Sequence, residues 1–118
     1  MIGGGGLQTF FSCTNLDAVN VTVGVEVFGA LGGAPITDPV ATSLSVVPDG
    51  TVIFGCGGEA GISINSNLGC GGISKGSARI LATSKKLLCT AWIADPGNAP
   101  PTTAWQLSIV AKAKQKGD

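Results

Sequence analysis

The stretch Val19-Asn20-Val21-Thr22-Val23-Gly24-Val25-Glu26-Val27-Phe28 places a valine at every second position from 19 to 27. Successive side chains of a strand point to opposite faces, so this period gathers one β-branched face and leaves small or polar residues on most of the other. A helix would need apolar groups three and four residues apart. The segment therefore reads as a strand half buried against a core.

Upstream, residues 7–14 read as a first strand with Thr9, Phe11 and Cys13 on one face. Downstream, Gly32-Gly33, Pro35 and Pro39 mark a turn region. Residues 43–47 and 51–54 flank Pro48-Asp49-Gly50, and an Asp-Gly step predicts a hairpin between them. A glycine-rich excursion over 55–76 has room for one short strand at 62–65. Residues 77–83 form another strand, followed by a Ser84-Lys85-Lys86 turn. Residues 87–94 direct Leu87, Cys89, Ala91 and Ile93 inward, and a proline-rich connection over 95–103 follows. The last strand, 104–114, puts Trp105, Leu107 and Ile109 on one face. Lys112, Lys114 and Lys116 alternate in the way that protects an edge strand from uncontrolled pairing. Seven or eight short strands without a convincing helix predict an all-β fold. Its expected form is a two-sheet antiparallel β-sandwich of immunoglobulin-like or jelly-roll type. The domain is expected over 7–118, preceded by a glycine-rich arm over 1–6.

The four cysteines are Cys13, Cys56, Cys70 and Cys89, at intervals of 43, 14 and 19, and the chain has no histidine. Zinc sites usually show close ligand pairs, and a redox Cys-x-x-Cys is absent, so disulfides are the better reading. Three pairings are open. Cys56 and Cys70 each sit in Gly-Cys-Gly-Gly, which favours Cys56–Cys70 as a staple on the excursion and leaves Cys13–Cys89 to tie distant parts of the core. Disulfides imply an oxidising, extracellular compartment. No signal peptide is visible, so a secreted chain would have lost it. No apolar run reaches the ~20 residues that span a bilayer.

Only 12% of the 118 residues are charged, about half the usual share of ~25%. Such a neutral surface invites coverage by a partner or by another copy. Net charge is zero, yet the acids and bases are segregated. Residues 1–74 carry Asp17, Glu26, Asp38, Asp49 and Glu59 without a base, whereas all seven bases lie in 75–118. Mixing of strands would neutralise the halves internally; otherwise they form complementary surfaces between copies. Zero net charge without an aromatic–basic motif argues against nucleic acid.

Several segments are similar to motifs of an uncharacterised family of predicted bacterial secreted β-sandwich proteins. They are Phe11-Ser12-Cys13-Thr14-Asn15-Leu16, Ser77-Ala78-Arg79-Ile80, Cys89-Thr90-Ala91, Asp95-Pro96 and Lys114-Gln115-Lys116-Gly117-Asp118. The likeness runs across most of the chain. It implies a secreted single domain, with the Cys56–Cys70 excursion as a local elaboration, and brings no catalytic assignment.

The chemistry-bearing residues are few. Without histidine there is no usual general base near neutral pH and no Ser-His-Asp or Cys-His system. Asp49 and Asp95 fit turns, and Gly55-Cys56-Gly57-Gly58 lacks the lysine and helix of a phosphate cradle. No enzyme activity, cofactor or metal is expected. Trp92, on the face opposite Cys89, and the loop residue Asn98 are candidates for a ligand or interface contact. Asn20-Val21-Thr22 is an acceptor pattern for N-linked sugar, and Thr102 and Thr103 beside Pro100-Pro101 are candidates for O-linked sugar. Ile2, Leu7 and Phe10 surround four glycines and could form an arm that adds to a neighbour's sheet. The leading expectation is an extracellular structural protein that self-associates, as a filament or surface-layer subunit. The alternative is a monomeric carbohydrate-binding or adhesion module.

Overall fold

A computed structural model describes residues 7–57, 62–70, 76–95 and 104–107, with the side chains of Ala104 and Trp105 excepted. Among the described residues eight strands follow one another: β1 (Gln8–Asn15), β2 (Val21–Gly29), β3 (Leu44–Val46), β4 (Thr51–Gly55), β5 (Ser66–Asn67), β6 (Gly76–Ala82), β7 (Leu87–Ala94) and β8 (Ala104–Leu107). They form two sheets, ordered β5-β4-β1-β7-β8 and β3-β2-β6, and there is no helix among the described residues. The protein is a two-sheet β-sandwich.

Strand β2 occupies the middle of the smaller sheet. Val21, Val23, Val25 and Val27 are fully buried there, as their period requires. They face Phe11, Cys13, Phe54 and Ala91 of the larger sheet, with Leu44, Val46, Val52, Ala78, Ile80, Leu87, Cys89 and Leu107 completing the layer between them. Val19 stands outside this pattern and is exposed, because the chain is still in the connection from β1 and extends only from Val21.

Several expectations need correction. The Asp-Gly segment does not close a hairpin. β3 pairs with β2, and β4 pairs with β1, so Pro48-Asp49-Gly50 arches from one sheet to the other. The Asp49 N–H donates to Asn15 O and the Gly50 N–H to Val47 O, both at 2.9 Å. These bonds, with Asp49 in the left-handed region at φ 64°, turn the backbone out of its sheet. The short strand of the excursion lies at Ser66–Asn67, not at 62–65, and it runs parallel to β4 in an otherwise antiparallel structure. Asn65 sets that position: its N–H donates to Ile53 O, and its Oδ1 accepts from Ile53 N. The excursion is also more than an elaboration, since its returning limb places Leu68 and Cys70 in the core.

The disulfides join Cys13 to Cys89 and Cys56 to Cys70. The first does not bridge remote regions. Cys13 and Cys89 are direct partners in the β1–β7 ladder, with Cα atoms 4.1 Å apart.

Two glycines are fixed by close approach. A Cβ on Gly24 would lie 2.6 Å from Pro39 O, and one on Gly55 would lie 2.9 Å from the Phe10 ring. The first lets the 30–43 connection cross the outer face of β2. The second lets the Phe10 ring pack against β4.

Candidate functional site

The smaller sheet has two unlike sides. On one, β3 covers the first half of β2, and the connection covers the rest. Ile36 N donates to Val27 O at 2.7 Å, Val27 N donates to Thr37 Oγ1 at 3.0 Å, and Thr37 Oγ1 donates to Val25 O at 3.3 Å. The backbone groups of β2 are therefore satisfied by a short strand and by a buried threonine.

On the other side β6 is the edge of the sheet among the described residues. Thr83 N donates to Thr22 O, and the β2–β6 register continues this pair through Gly24↔Leu81, Glu26↔Arg79 and Phe28↔Ser77. Antiparallel hydrogen bonding alternates, so the backbone groups of Ala78, Ile80 and Ala82 point away from β2. Among the described residues no strand pairs with them. β6 has seven residues and contains neither lysine nor proline, the devices that usually blunt an edge.

Its one charge is occupied. Arg79 reaches across the outer face to its ladder partner Glu26, with Nη2 at 2.6 Å and Nε at 3.1 Å from Oε1. The guanidinium carbon lies 5.9 Å from the centre of the Phe28 ring. An acid of the first half of the chain thus neutralises a base of the second within one sheet. Beside this pair, Thr22, Gly24, Pro39, Val40, Leu81 and Ala82 line much of an open groove of about 320 Å³. Val40 is 81% exposed and Leu81 38%.

The connections β1–β2, β3–β4 and β6–β7 all cross between the sheets at the same end, where Asn15, Leu16 and Asp17 hold them together. Asn15 Nδ2 donates to Val19 O and Val46 O, each at 2.8 Å, and Leu16 N donates to Lys86 O. Ser84 Oγ donates to Asp17 Oδ2 at 2.7 Å. That bond, the Ala18 N–H and nearby Lys86 hold the Asp17 carboxyl below the ordinary carboxylate range, against a smaller opposing effect of desolvation.

The remaining sequence-derived candidates are scattered. Trp92 stacks on Phe10, with ring centres 4.8 Å apart, on the outer face of the larger sheet. One face of the indole is thereby taken. Phe10 is fully buried inside β1, next to Gly55 and Trp92, so it belongs to its own domain and not to a free arm. Leu7 is half-buried just before β1, and Asn20 is exposed just before β2. Ile2, Asn98, Thr102 and Thr103 lie outside the described residues, as do the arm over 1–6 and the lysines at 112, 114 and 116. The alternating lysines mark an edge in the sequence, whereas β6 carries no such mark. The signal available was a strand pattern over 77–83 with a single charge; that it forms an edge follows only from the topology.

All four cysteines are in disulfides, and no cluster of three metal-ligating side chains occurs among the described residues. No described helix is long and apolar enough to cross a membrane. Comparison with protein-family models, with curated proteins and with solved structures gave no match.

Proposed function

We propose that this chain is a non-enzymatic, extracellular structural protein that works by self-association, as a subunit of a filament or surface layer. The observation that carries the reading is the seven-residue edge β6, which carries no lysine or proline and whose one charge is neutralised by Glu26. An edge of this kind is a template for pairing with another chain. Two disulfides are compatible with an oxidising environment and support the extracellular assignment. The resemblance of the strand and turn motifs to secreted β-sandwich proteins points the same way.

The carbohydrate-binding alternative rests on Trp92 and receives less support, because Phe10 covers one side of its ring. Sedimentation velocity over a concentration series, with electron microscopy of native material, tests the leading reading. Oligomers or ordered assemblies are expected. A monodisperse monomer at high concentration, together with no assembly in native material, would overturn it.

A further inference from the structure

The partner that fits β6 best is β6 itself. We infer that two copies join antiparallel along this edge, on a two-fold axis at Ile80, to make one continuous six-stranded sheet. The inference rests on the self-association reading above and names its contact.

The outward backbone groups belong to Ala78, Ile80 and Ala82, so a second strand must align its own outward groups with these residues. With Ile80 opposite Ile80 of the second copy, Ala78 faces Ala82 and Arg79 faces Leu81. Sliding the copies so that Ala78 faces Ile80 sets Arg79 against Arg79, which like-charge repulsion disfavours. Sliding them the other way leaves less of each strand overlapped. One register therefore serves both hydrogen bonding and charge.

The same register answers two features of the outer face. Leu81 is 38% exposed beside the groove floored by Gly24 and walled by Val40. Arg79 of the second copy would lay its methylene stem over that leucine, while Glu26 and Phe28 retain its guanidinium. In this register the second copy sets the uncharged Leu81 opposite Arg79 and the methylene stem of Arg79 opposite Leu81. On the inner face Ile80 already packs on the core, and its copy extends that layer. The contact closes on itself, so it forms a dimer, and any longer assembly must use another surface.

The test compares dimer dissociation constants of wild type, Ala82→Pro, Leu81→Lys and Leu81→Glu by sedimentation equilibrium, with circular dichroism and disulfide mapping as folding controls. The Ala82 N–H faces away from β2, so proline there removes a donor to the second copy without breaking the β2 ladder. Ala82→Pro is expected to weaken the dimer at least about ten-fold. Lysine at 81 would face Arg79 of the other copy and glutamate would neutralise it. Leu81→Glu should therefore dimerise at least about ten-fold more tightly than Leu81→Lys, and this arm stands if the proline variant fails to fold. Equal constants for the two Leu81 variants overturn the register. Oligomers unaffected by all three substitutions overturn the β6 contact while leaving self-association intact. A wild type that never leaves the monomer removes both.

Discussion

The Asn15 amide donates to the backbone carbonyl of Val46, which lies in the opposite sheet, at a distance of 2.8 Å. Asn15 is fully buried and uses nearly every polar group it has. Its second Nδ2 hydrogen goes to Val19 O, its Oδ1 accepts from Asp17 N, its N–H donates to Gly50 O, and its carbonyl accepts from Asp49 N. Removing the side chain strands two carbonyls and one N–H. Asn15→Ala should lose about 2–4 kcal/mol in urea unfolding. Asn15→Asp should lose at least as much, because a carboxylate cannot donate to Val19 O or Val46 O. A loss below about 1 kcal/mol for both would show that the arches hold without this residue.

The Glu26–Arg79 pair is asymmetric, with side-chain exposures of 11% and 63%. Solvent reaches the arginine, so a double-mutant cycle should give a coupling of only about 0.5–1 kcal/mol, reduced by salt. The single changes should differ more. Arg79→Ala leaves a nearly buried carboxylate without its partner, whereas Glu26→Gln leaves an exposed guanidinium in water. Thermal unfolding should rank Arg79→Ala as the more damaging of the two.

Asp17 titrates below the ordinary value of about 3.9 chiefly because Ser84 donates to it. A carboxyl whose folded pKa is depressed adds stability above its unfolded pKa. That stability is lost as pH falls from there through the folded value. Ser84→Ala should move the Asp17 midpoint upward in a carboxyl-detected NMR titration and flatten the acid limb of the stability profile. An unchanged midpoint would assign the shift to Ala18 and Lys86 instead.

Gly24 has no room for a side chain, since Pro39 O sits 2.6 Å from where its Cβ would be. Gly24→Ala must push the 38–43 segment outward, including the Asp38 turn that receives Val40 N and Ala41 N. Overpacking of this kind costs about 1–3 kcal/mol. Gly24→Ala should fall in that range, and hydrogen exchange should accelerate at Val40 and Thr42. Normal exchange there would mean that the connection accommodates a methyl group.

The Cys56–Cys70 bond closes the segment whose returning limb carries β5 and Leu68. Replacing both cysteines by serine should cost about 3 kcal/mol in the chain-entropy description. The loosening should begin at this segment. Its partner Gly55 borders Phe10, which stacks on Trp92. Tryptophan fluorescence should therefore change at lower denaturant than the far-ultraviolet β-sheet signal. Coincident transitions would place the segment within the main cooperative unit.

What could be read in advance depended on how local the deciding interaction is. The valine period of β2 is a property of consecutive residues, and so is the alternation of Leu87, Cys89 and Ala91. Both are visible in the sequence. The Asp-Gly step shows a turn but not its course, because that course is decided by Asn15, more than thirty residues earlier. The edge at β6 was invisible for a related reason. Nothing within 77–83 says which strands will flank it; that depends on β3 and the Thr37 segment taking the other side of β2. Gly24, within the most legible stretch of all, hides a contact that only Pro39 reveals.

Strand β1 is the centre of the larger sheet, yet its ladder partners are β4 and β7, and Cys13 waits for a cysteine 76 residues further along. Sandwich topologies with such distant pairings have high contact order and fold slowly, on the scale of milliseconds to seconds. A ribosome exposing the first fifty residues would release β1 with neither neighbour to receive it. β4 reaches it first, over Thr51–Gly55, but the second flank of the central strand stays open until β7 emerges at Leu87–Ala94. The bond from Cys13 to Cys89 therefore reports the arrival of that second flank and not the first pairing of β1.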